Sequence, residues 1–330
     1  MISVLPQLIK NPTVSAFIIT YNQEKTIAQT IEGILMQKGD FTMELIIGED
    51  AGTDNTRNIC LDYQKRYPET IKLLLQDSNQ GIVKNYIETL KLCRGKYLGV
   101  CAGDDYWIDK YKLEKQIHFF ESHPDYGVVT TGGYRLFVKK NKLVEGIAPL
   151  YPEPSGEVFQ LTYKGGVYAM PLSLLFRSKL LQYIDFDEFI KRKFSCEDVP
   201  MQAILAKHTK FGHIPDLTCV YRVYKESMTF TNLQSPKYMF YHEGLVAIKR
   251  YLNELYPGEV DFSEAWASDY LVYKRFLQEV NRFNYVGAKS QLSQLIHITF
   301  KEKRALSFSK TRFGFYIFCV LKRIKIMYHD

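Results

Sequence analysis

The stretch GKYLGVCAGDDYW, from Gly95 to Trp107, runs from a short apolar segment directly into two adjacent acids. Its core, Tyr97–Cys101, has the length and composition of a buried strand. Similar apolar runs occur elsewhere in the first 131 residues, at Val14–Thr20, Glu44–Gly48, Ile71–Gln76 and Gly127–Thr131. The sequence therefore predicts several buried strands, one of which ends at Asp104-Asp105.

Segments with helical periodicity lie between these runs. They are Glu24–Lys38, Asp54–Tyr67, Ile82–Leu92 and Asp109–Ser122. In the first of them, apolar residues recur every three or four positions, at Ile27, Ile31 and Ile34. Strands that alternate with helices favour a parallel sheet covered by helices on both faces. We therefore predict an α/β fold with a Rossmann-like, mostly parallel sheet.

Composition narrows the class of protein. The 330 residues are 46% hydrophobic and 24% charged, which is typical of a soluble globular chain. The net charge of +7 suits an anionic ligand but is too small to indicate a nucleic-acid partner. The six cysteines include no C-x-x-C pair, so neither a disulfide framework nor a zinc site is predicted. No signal peptide or long apolar span is apparent, and we expect a cytoplasmic protein.

The chain divides by pattern into residues 1–131, 132–235 and 236–330. The middle part begins with an irregular, glycine- and proline-containing stretch, followed by a strand-like Leu172–Phe176, a helix from about Asp198 to Lys207 and a strand Leu217–Val223. The last part looks helical from Pro236 to about Ile298 and ends in a basic, apolar tail. We therefore expect a helical C-terminal extension.

Acidic residues concentrate where the predicted strands end. Since ligands of open parallel sheets bind outside the carboxyl ends of the strands, these loops are the candidate site. Adjacent carboxylates such as Asp104 and Asp105 repel each other unless hydrogen bonds or a cation offset the repulsion. Their oxygens suit Mg²⁺ or Mn²⁺. The alternative is a solvated turn that caps the helix starting near Asp109.

Two further acidic groups have less specific patterns. Glu49 and Asp50 follow the second strand, where a carboxylate can accept hydrogen bonds from a nucleoside; Thr53 or Asp54 can also cap the next helix there. Glu197-Asp198 opens a predicted helix, where acids are commonly partners of the helix dipole.

The order and spacing of these blocks resemble family 2 of the inverting nucleotide-sugar glycosyltransferases. The matching blocks are Val14–Asn22, Glu44–Asp50 with Thr53-Asp54, Asn79-Gln80-Gly81 with Lys84-Asn85, and Gly95–Tyr97 leading into Gly103–Trp107. Cys196-Glu197-Asp198, Gly212–Pro215 and Tyr221-Arg222-Val223 resemble the acceptor half of the same family. The resemblance covers about residues 12–228.

The resemblance implies the GT-A fold, with residues 1–131 as the nucleotide-sugar-binding half and residues 132–235 as the acceptor-binding half. It implies a divalent metal, Mn²⁺ or Mg²⁺, held by Asp104 and supported by Asp105. The donor is a nucleotide-sugar, with a UDP-sugar favoured. The residues implied to bind it are Thr20, Tyr21, Asn22, Glu49, Asp50, Lys84, Gly103, Asp104, Asp105 and Arg222.

The resemblance also implies a general base. Asp198 would take the proton of the acceptor hydroxyl with Glu197 orienting it, and Glu197 is the alternative base. The acceptor would be a glycan or a lipid-linked sugar in surface polysaccharide or glycolipid synthesis. Lys84 and Arg222 have a plainer alternative as surface side chains.

Two features depart from the family pattern. The acid that often stands two residues before the metal-binding Asp is Ala102 here, so one carboxylate that would contact the ribose or the metal is missing. The Gln-x-x-Arg-Trp signature of processive synthases is absent, which favours addition of a single sugar. The tail segment 313–327 mixes large apolar and basic residues and fits either peripheral contact with the inner membrane face or a helix packed on the protein.

Three other classes compete with this interpretation. A catalytically weakened glycan- or nucleotide-binding protein on the same fold is favoured only by Ala102. A nucleotidyltransferase leaves Glu197-Asp198 without a task. A dinucleotide oxidoreductase is disfavoured because no G-x-G-x-x-G follows the first strand.

Overall fold

A computed structural model describes residues 11–146, 156–165, 169–224, 235, 237–260, 262–295, 311–312 and 314–319. The chain forms two compact units, residues 1–224 and 225–330. The predicted boundary between residues 131 and 132 falls inside a strand, and the division of the first unit into donor and acceptor halves stays a prediction.

The first unit alternates strands and helices. Its strands are β1 (Val14–Thr20), β2 (Met43–Glu49), β3 (Ile71–Leu75), β4 (Tyr97–Ala102), β5 (Tyr106–Trp107), β6 (Tyr126–Phe137), β7 (Lys142–Glu145), β8 (Leu175–Arg177) and β9 (Lys210–Val223). Its helices are α1 (Ile27–Leu35), α2 (Thr56–Arg66), α3 (Ile82–Leu90), α4 (Lys112–Ser122), α5 (Phe159–Gly165), α6 (Phe186–Lys191) and α7 (Asp198–His208).

These strands form one mixed sheet in the order β3-β2-β1-β4-β8-β6-β9-β5, with β7 paired to β6. Strands β1 to β4 are parallel, and β6 runs parallel to β9. Strand β8 is antiparallel to both β4 and β6, so β4, β6 and β9 point the same way. The strand order reverses between β1 and β4, which is where open α/β sheets bind ligands.

Helices cover both faces of this sheet, as predicted. Side chains of β1 alternate: Val14, Ala16 and Ile18 pack with α1, α2 and α4 in one buried cluster. Phe17 points to the other face and meets Tyr86 of α3, with ring centroids 5.1 Å apart. Because both faces are covered, β1 is buried along its whole length.

Three strands differ from the predicted ones, two of them because distant segments pair and one because of a local turn. Strand β6 continues past Thr131 to Phe137, and β9 begins at Lys210 rather than Leu217. The two pair along their length, with register shifts on either side of Gly132. Only the end of predicted strand Leu172–Phe176 is extended, because Pro171–Ser173 form a 3₁₀ turn.

The second unit is helical within the part that the structure describes. Its helices are α8 (Lys237–Leu255), α9 (Glu264–Asn281) and α10 (Tyr285–Leu292). A core in this unit joins α9 and α10 to Phe315 and Cys319 of the tail, both buried. The described part of the tail is thus a packed helical segment; the remaining residues of segment 313–327, with its basic side chains, lie outside the described residues. None of the described helices has the length and hydropathy to span a membrane.

Candidate functional site

The loop after β4 is held by the neighbouring helix α1. Thr30 Oγ1 donates to the carbonyl oxygens of Asp105 (2.6 Å) and Gly103 (3.0 Å), and Thr26 Oγ1 also donates to Gly103 (2.8 Å). Threonines four residues apart lie on one face of a helix, so one side of α1 fixes this loop. The loop is therefore ordered by its own contacts before any ligand binds.

Asp105 connects this loop to β9. It is 3% exposed, and its Oδ1 accepts the backbone N–H of Arg222 at 2.8 Å. Burial raises the pKa of Asp105 well above its usual value, and the charge of Asp104 raises it further. The alternative of a solvated turn is wrong for Asp105, and it is Asp109 that accepts an N–H, that of Tyr111, where α4 begins.

Arg222 is buried behind the same loop and is not a surface side chain. It is 7% exposed, and its guanidinium donates to the Asp104 carbonyl oxygen and to Gln29 Oε1. The guanidinium also lies over the Tyr106 ring, 4.4 Å from the centroid. These contacts occupy two of its nitrogens, and the predicted contact of Arg222 with the donor stays a prediction.

Asp104 has a partly exposed carboxylate beside Gln23. The Gln23 amide donates to this carboxylate, while its Oε1 accepts from Thr20 Oγ1 at 2.7 Å. Burial raises the pKa of Asp104, against the charge of Arg222 and the Gln23 hydrogen bond, which lower it. Gly103 makes this packing possible, since a Cβ there would lie 2.3 Å from Gln23 Oε1.

This carboxylate pair fits a divalent cation that takes most of its coordinating oxygens from a bound phosphate group and water. Added positive charge is stabilising beside two adjacent carboxylates, one partly exposed and one buried, and their hard oxygen donors suit Mn²⁺ and Mg²⁺. Among the described residues, no group of three or more His, Cys, Asp or Glu side chains is arranged to hold a metal. One or two protein carboxylates suffice when phosphate oxygens and water complete the coordination shell.

Glu49, at the end of β2, holds its own loop together. Its side chain is fully buried and forms an ion pair with Arg57. Its Oε1 accepts the N–H of Gly52 at 2.6 Å, and Arg57 also donates to the Gln76 carbonyl oxygen at 2.6 Å. Both carboxylate oxygens of Glu49 thus have partners inside the protein, and its contact with the donor stays a prediction.

Asp50 connects the same loop to the start of α3. Its Oδ1 and Oδ2 accept the backbone N–H groups of Gln80 (2.7 Å) and Gly81 (2.9 Å), and it is 3% exposed. Burial raises the pKa of Asp50 despite these two hydrogen bonds. Lys84 lies one helical turn on, bonded to Gln80 Oε1 at 2.5 Å and 43% exposed in its side chain, so its ammonium is accessible.

Tyr21 and Asn22 follow β1 at the reversal of strand order. Tyr21 is 45% exposed. Asn22 has a left-handed backbone (φ 54°), and its Oδ1 accepts the N–H of Thr53 at 2.7 Å. Asp54 accepts the N–H of Thr56 at 3.0 Å, but the N-cap residue of α2 is Asn55 rather than the predicted Thr53 or Asp54. The loops after β1 and β2 are therefore joined side by side.

Glu197 and Asp198 lie at the start of α7. Asp198 accepts the N–H of Val199 at 2.8 Å and is hydrogen-bonded by the thiol of Cys196. Glu197 is 6% exposed, and its Oε2 has no hydrogen-bond partner among the described residues. Burial raises the pKa of both acids, and the charge of Asp198 helps to raise that of Glu197 to about 8. Such a pair favours one protonated and one ionised member.

This second acidic cluster lies against α3. The Tyr86 hydroxyl is bonded to Met201 Sδ at 3.2 Å, and the charges of Glu197 and Asp198 help to raise the pKa of that hydroxyl. Helix α7 leads directly into the amino end of β9. Whether this cluster and Asp104 share one pocket stays a prediction.

Several residues of this region were missed in the sequence. Gln23 stands directly after the strand β1 and its turn, and that position could have been read as a candidate. Gln29, Thr26 and Thr30 are contacts of α1, and nothing in a helical pattern marks a side chain that bonds a loop 70 or more residues away.

Comparison with known proteins identifies a family model. The model described as Glycosyl transferase family 2 matches residues 15–183, which is just over half of the chain. This span contains the loops after β1 to β4 and excludes Glu197, Asp198 and Arg222.

Relatives among curated proteins match shorter stretches of the chain. The chain is 41% identical over 107 residues to the uncharacterized protein Rv1520 of Mycobacterium tuberculosis, 32% of this chain and 31% of that one. It is 37% identical over 145 residues to the putative glycosyltransferase EpsE of Bacillus subtilis, 43% and 50% of the two chains. It is 29% identical over 140 residues to WfaP of Escherichia coli, a UDP-Glc:α-D-GlcNAc-diphosphoundecaprenol β-1,3-glucosyltransferase, 42% and 52%. The matches thus span between a third and a half of these relatives.

Solved structures extend the likeness to most of the chain. TarS of Staphylococcus aureus with UDP-GlcNAc superposes with a TM-score of 0.56 at 17% identity, covering 92% of this chain and 88% of that one. The mannosyltransferase PcManGT of Pyrobaculum calidifontis, with GDP-Man and Mn²⁺, has a TM-score of 0.51 at 15% identity, covering 89% and 77%. The likeness confirms the expected GT-A fold.

Proposed function

The chain belongs to glycosyl transferase family 2, and on that basis we propose that it transfers one sugar from a nucleoside-diphosphate donor to an acceptor hydroxyl. The transfer is a single displacement that inverts the anomeric carbon. The acceptor is a glycan or lipid-linked sugar, and the product belongs to a surface polysaccharide or glycolipid. The relative WfaP, whose name gives a diphosphoundecaprenol-linked acceptor, supports this assignment, and EpsE is named as a putative glycosyltransferase.

The observation that carries the proposal is the pair Asp104-Asp105 at the reversal of strand order. It combines a partly exposed carboxylate and a buried one with a loop whose carbonyl groups are fixed by α1 and Arg222. A pre-ordered anionic site of this kind suits a cation-bound diphosphate, because its groups need little reorganisation when the ligand arrives. A binding protein without catalysis has no evident need for Glu197 and Asp198 in addition.

We assign the donor nucleoside to the loops after β1 and β2. Tyr21 is exposed there for contact with a base, and Asn22 and Asp50 shape the adjoining loops. Asp104 holds the divalent cation with Asp105 behind it, and when bound the cation neutralises charge on the departing diphosphate. The accessible Lys84 supplies further positive charge. UDP is the favoured nucleotide, as in the TarS complex.

Asp198 acts as the general base. Its carboxylate already has an N–H and a thiol hydrogen bond, which stabilise its ionised form. Burial and the charge of Asp198 raise the pKa of the neighbouring Glu197 to about 8, so we assign the shared proton at neutral pH to Glu197 and the negative charge that faces the acceptor hydroxyl to Asp198. Removal of the acceptor proton by a positioned base contributes typically about 10²–10⁴ in rate.

A donor screen tests this function. The purified chain is incubated with UDP-, GDP- and dTDP-sugars, with Mn²⁺, Mg²⁺ or a chelator, and release of nucleoside diphosphate is measured with and without acceptor glycans. Thermal stabilisation by each nucleotide is measured in parallel. We expect one nucleotide to stabilise the protein in a metal-dependent way and its sugar to be transferred.

Two variants separate the site from the fold. Asp104→Asn should abolish metal-dependent stabilisation, whereas Glu121→Gln, at an exposed position of α4, should behave as the wild type. Stabilisation by a nucleotide with no transfer to a broad acceptor panel would instead favour the binding-protein alternative. Metal-independent transfer would contradict the assigned role of Asp104.

A further inference from the structure

The carbonyl groups of the Asp104-Asp105 loop are all bonded by side chains. Thr26 and Thr30 take those of Gly103 and Asp105, and the intervening carbonyl of Asp104 accepts from the guanidinium of Arg222. Three consecutive peptide groups are therefore fixed in orientation. The middle one, which belongs to the residue assigned to the cation, depends on Arg222 alone among these donors.

Arg222 lies on β9, far from both acids in the sequence, and forms hydrogen bonds with both. Its backbone N–H donates to Asp105 Oδ1 at 2.8 Å, and its guanidinium holds the Asp104 carbonyl group. Strand β5, which directly follows these acids, pairs antiparallel with β9, Tyr106 opposite Val220, and this pairing brings Arg222 beside Asp104 and Asp105. The guanidinium charge also lowers the pKa of Asp104. Arg222 thus acts on both carboxylates at once.

Gln29 on α1 completes the arrangement. Its Oε1 accepts from a guanidinium nitrogen other than the one that donates to the Asp104 carbonyl group. A guanidinium is a planar fork, so fixing two of its nitrogens fixes the plane. Gln29 itself is exposed, and its replacement therefore leaves no cavity in the core.

We propose that Gln29 is a positioning residue for the cation and donor diphosphate, and that it acts by orienting Arg222 against the backbone of Asp104. The inference rests on the proposed function. Gln29 and Arg222 together form a brace for the Asp104 peptide group. Without Gln29, the guanidinium keeps its place over Tyr106 but loses its fixed plane, and the Asp104 peptide group rotates more freely.

The brace is tested by binding rather than by turnover. Mn²⁺ binding in the presence of UDP is measured by electron paramagnetic resonance of the free ion, for wild type, Gln29→Ala and Gln29→Glu. Gln29→Ala should weaken binding roughly tenfold, the effect of one hydrogen bond to a charged group. Gln29→Glu keeps an acceptor oxygen for the guanidinium and should restore binding to within about threefold of wild type.

Further measurements separate a positioning role from a structural one. Glu121→Gln is the control for an exposed polar change, and the melting temperatures of Gln29→Ala and Gln29→Glu, which alter an exposed side chain, should stay close to that of wild type. Gln29→Ala combined with Arg222→Lys should bind no more weakly than Arg222→Lys alone, because the two side chains act as one unit. In turnover, Gln29→Ala should raise the KM of the donor and leave that of the acceptor unchanged.

Three results would overturn the inference. They are wild-type binding by Gln29→Ala, equal loss in Gln29→Ala and Gln29→Glu, and additive effects in the double variant. A wild-type protein that binds neither Mn²⁺ with UDP nor any other nucleotide would instead refute the proposed function, which keeps the two failures apart.

Discussion

Glu197→Gln should stabilise the protein by an amount that grows with pH. Glu197 is 6% exposed, and its Oε2 lacks a hydrogen-bond donor among the described residues. An ionised carboxylate in such a place costs free energy, whereas a neutral carboxyl or amide of the same shape costs much less. Above the usual pKa of a glutamate, the wild-type side chain must either take up a proton on folding or be buried as an ion, and the substitution removes both costs.

The size of the effect follows from the raised pKa. Burial, followed by the charge of Asp198, raises the pKa of Glu197 from 4.5 to about 8. The folded state then binds more protons than the unfolded state between these values, so wild-type stability falls as pH rises through this window. One pKa unit corresponds to about 1.4 kcal/mol, which makes the loss on the order of 3 kcal/mol at neutral pH.

Urea unfolding of wild type and Glu197→Gln at about pH 5 and about pH 8 measures this effect. The advantage of the variant should be small at the lower pH and reach a few kcal/mol at the higher one. Glu121→Gln, whose side chain is 62% exposed, should differ from wild type by the same small amount throughout. A stability difference for Glu197→Gln that does not change with pH would refute the reasoning.

Three further substitutions test other parts of the molecule. Asp198→Asn should lower kcat by about 10²–10⁴ and leave the donor KM unchanged, because it removes the proposed base and no donor contact; a rise in donor KM alone would contradict this. Gly103→Ala places a Cβ 2.3 Å from Gln23 Oε1 and should destabilise the protein by about 1–3 kcal/mol in urea unfolding while weakening nucleotide binding in calorimetry. Glu44→Gln, at the amino end of β2, breaks a buried carboxylate's bonds to Arg94 and should cost about 1–3 kcal/mol of unfolding free energy with no change in activity per folded molecule.

The sequence predicted the central strands well because their signal is local. Runs such as Val14–Thr20 are buried on both faces, so nearly every residue is apolar and the ends are marked by polar turns. The acidic loop at Asp104-Asp105 could be predicted in the same way, because ligands of open parallel sheets bind in the loops that follow the carboxyl ends of the strands. Strands β6 and β9 were predicted too short, because Gly132 and the residues before Leu217 are extended only through each other.

The candidate site was predicted only in part for the same reason. The residue types and their places at strand ends can be read from the chain, but the partners of each side chain cannot. Glu49 and Asp50 look alike in sequence, yet one is paired with Arg57 and the other holds two backbone N–H groups near α3. The sequence pattern does not show which carboxylate oxygens already accept hydrogen bonds within the protein.

The alternation of apolar runs and helical periods was enough to specify a doubly wound sheet and the edge at which its acids gather, because burial on two faces constrains composition residue by residue. What folding alone decided is how distant segments share that edge. The guanidinium of Arg222 donates a hydrogen bond to Gln29, which lies 193 positions away in the sequence. Its backbone N–H donates to Asp105, which lies 117 positions away. Such contacts depend on the packing of whole elements, and no short stretch of sequence records them.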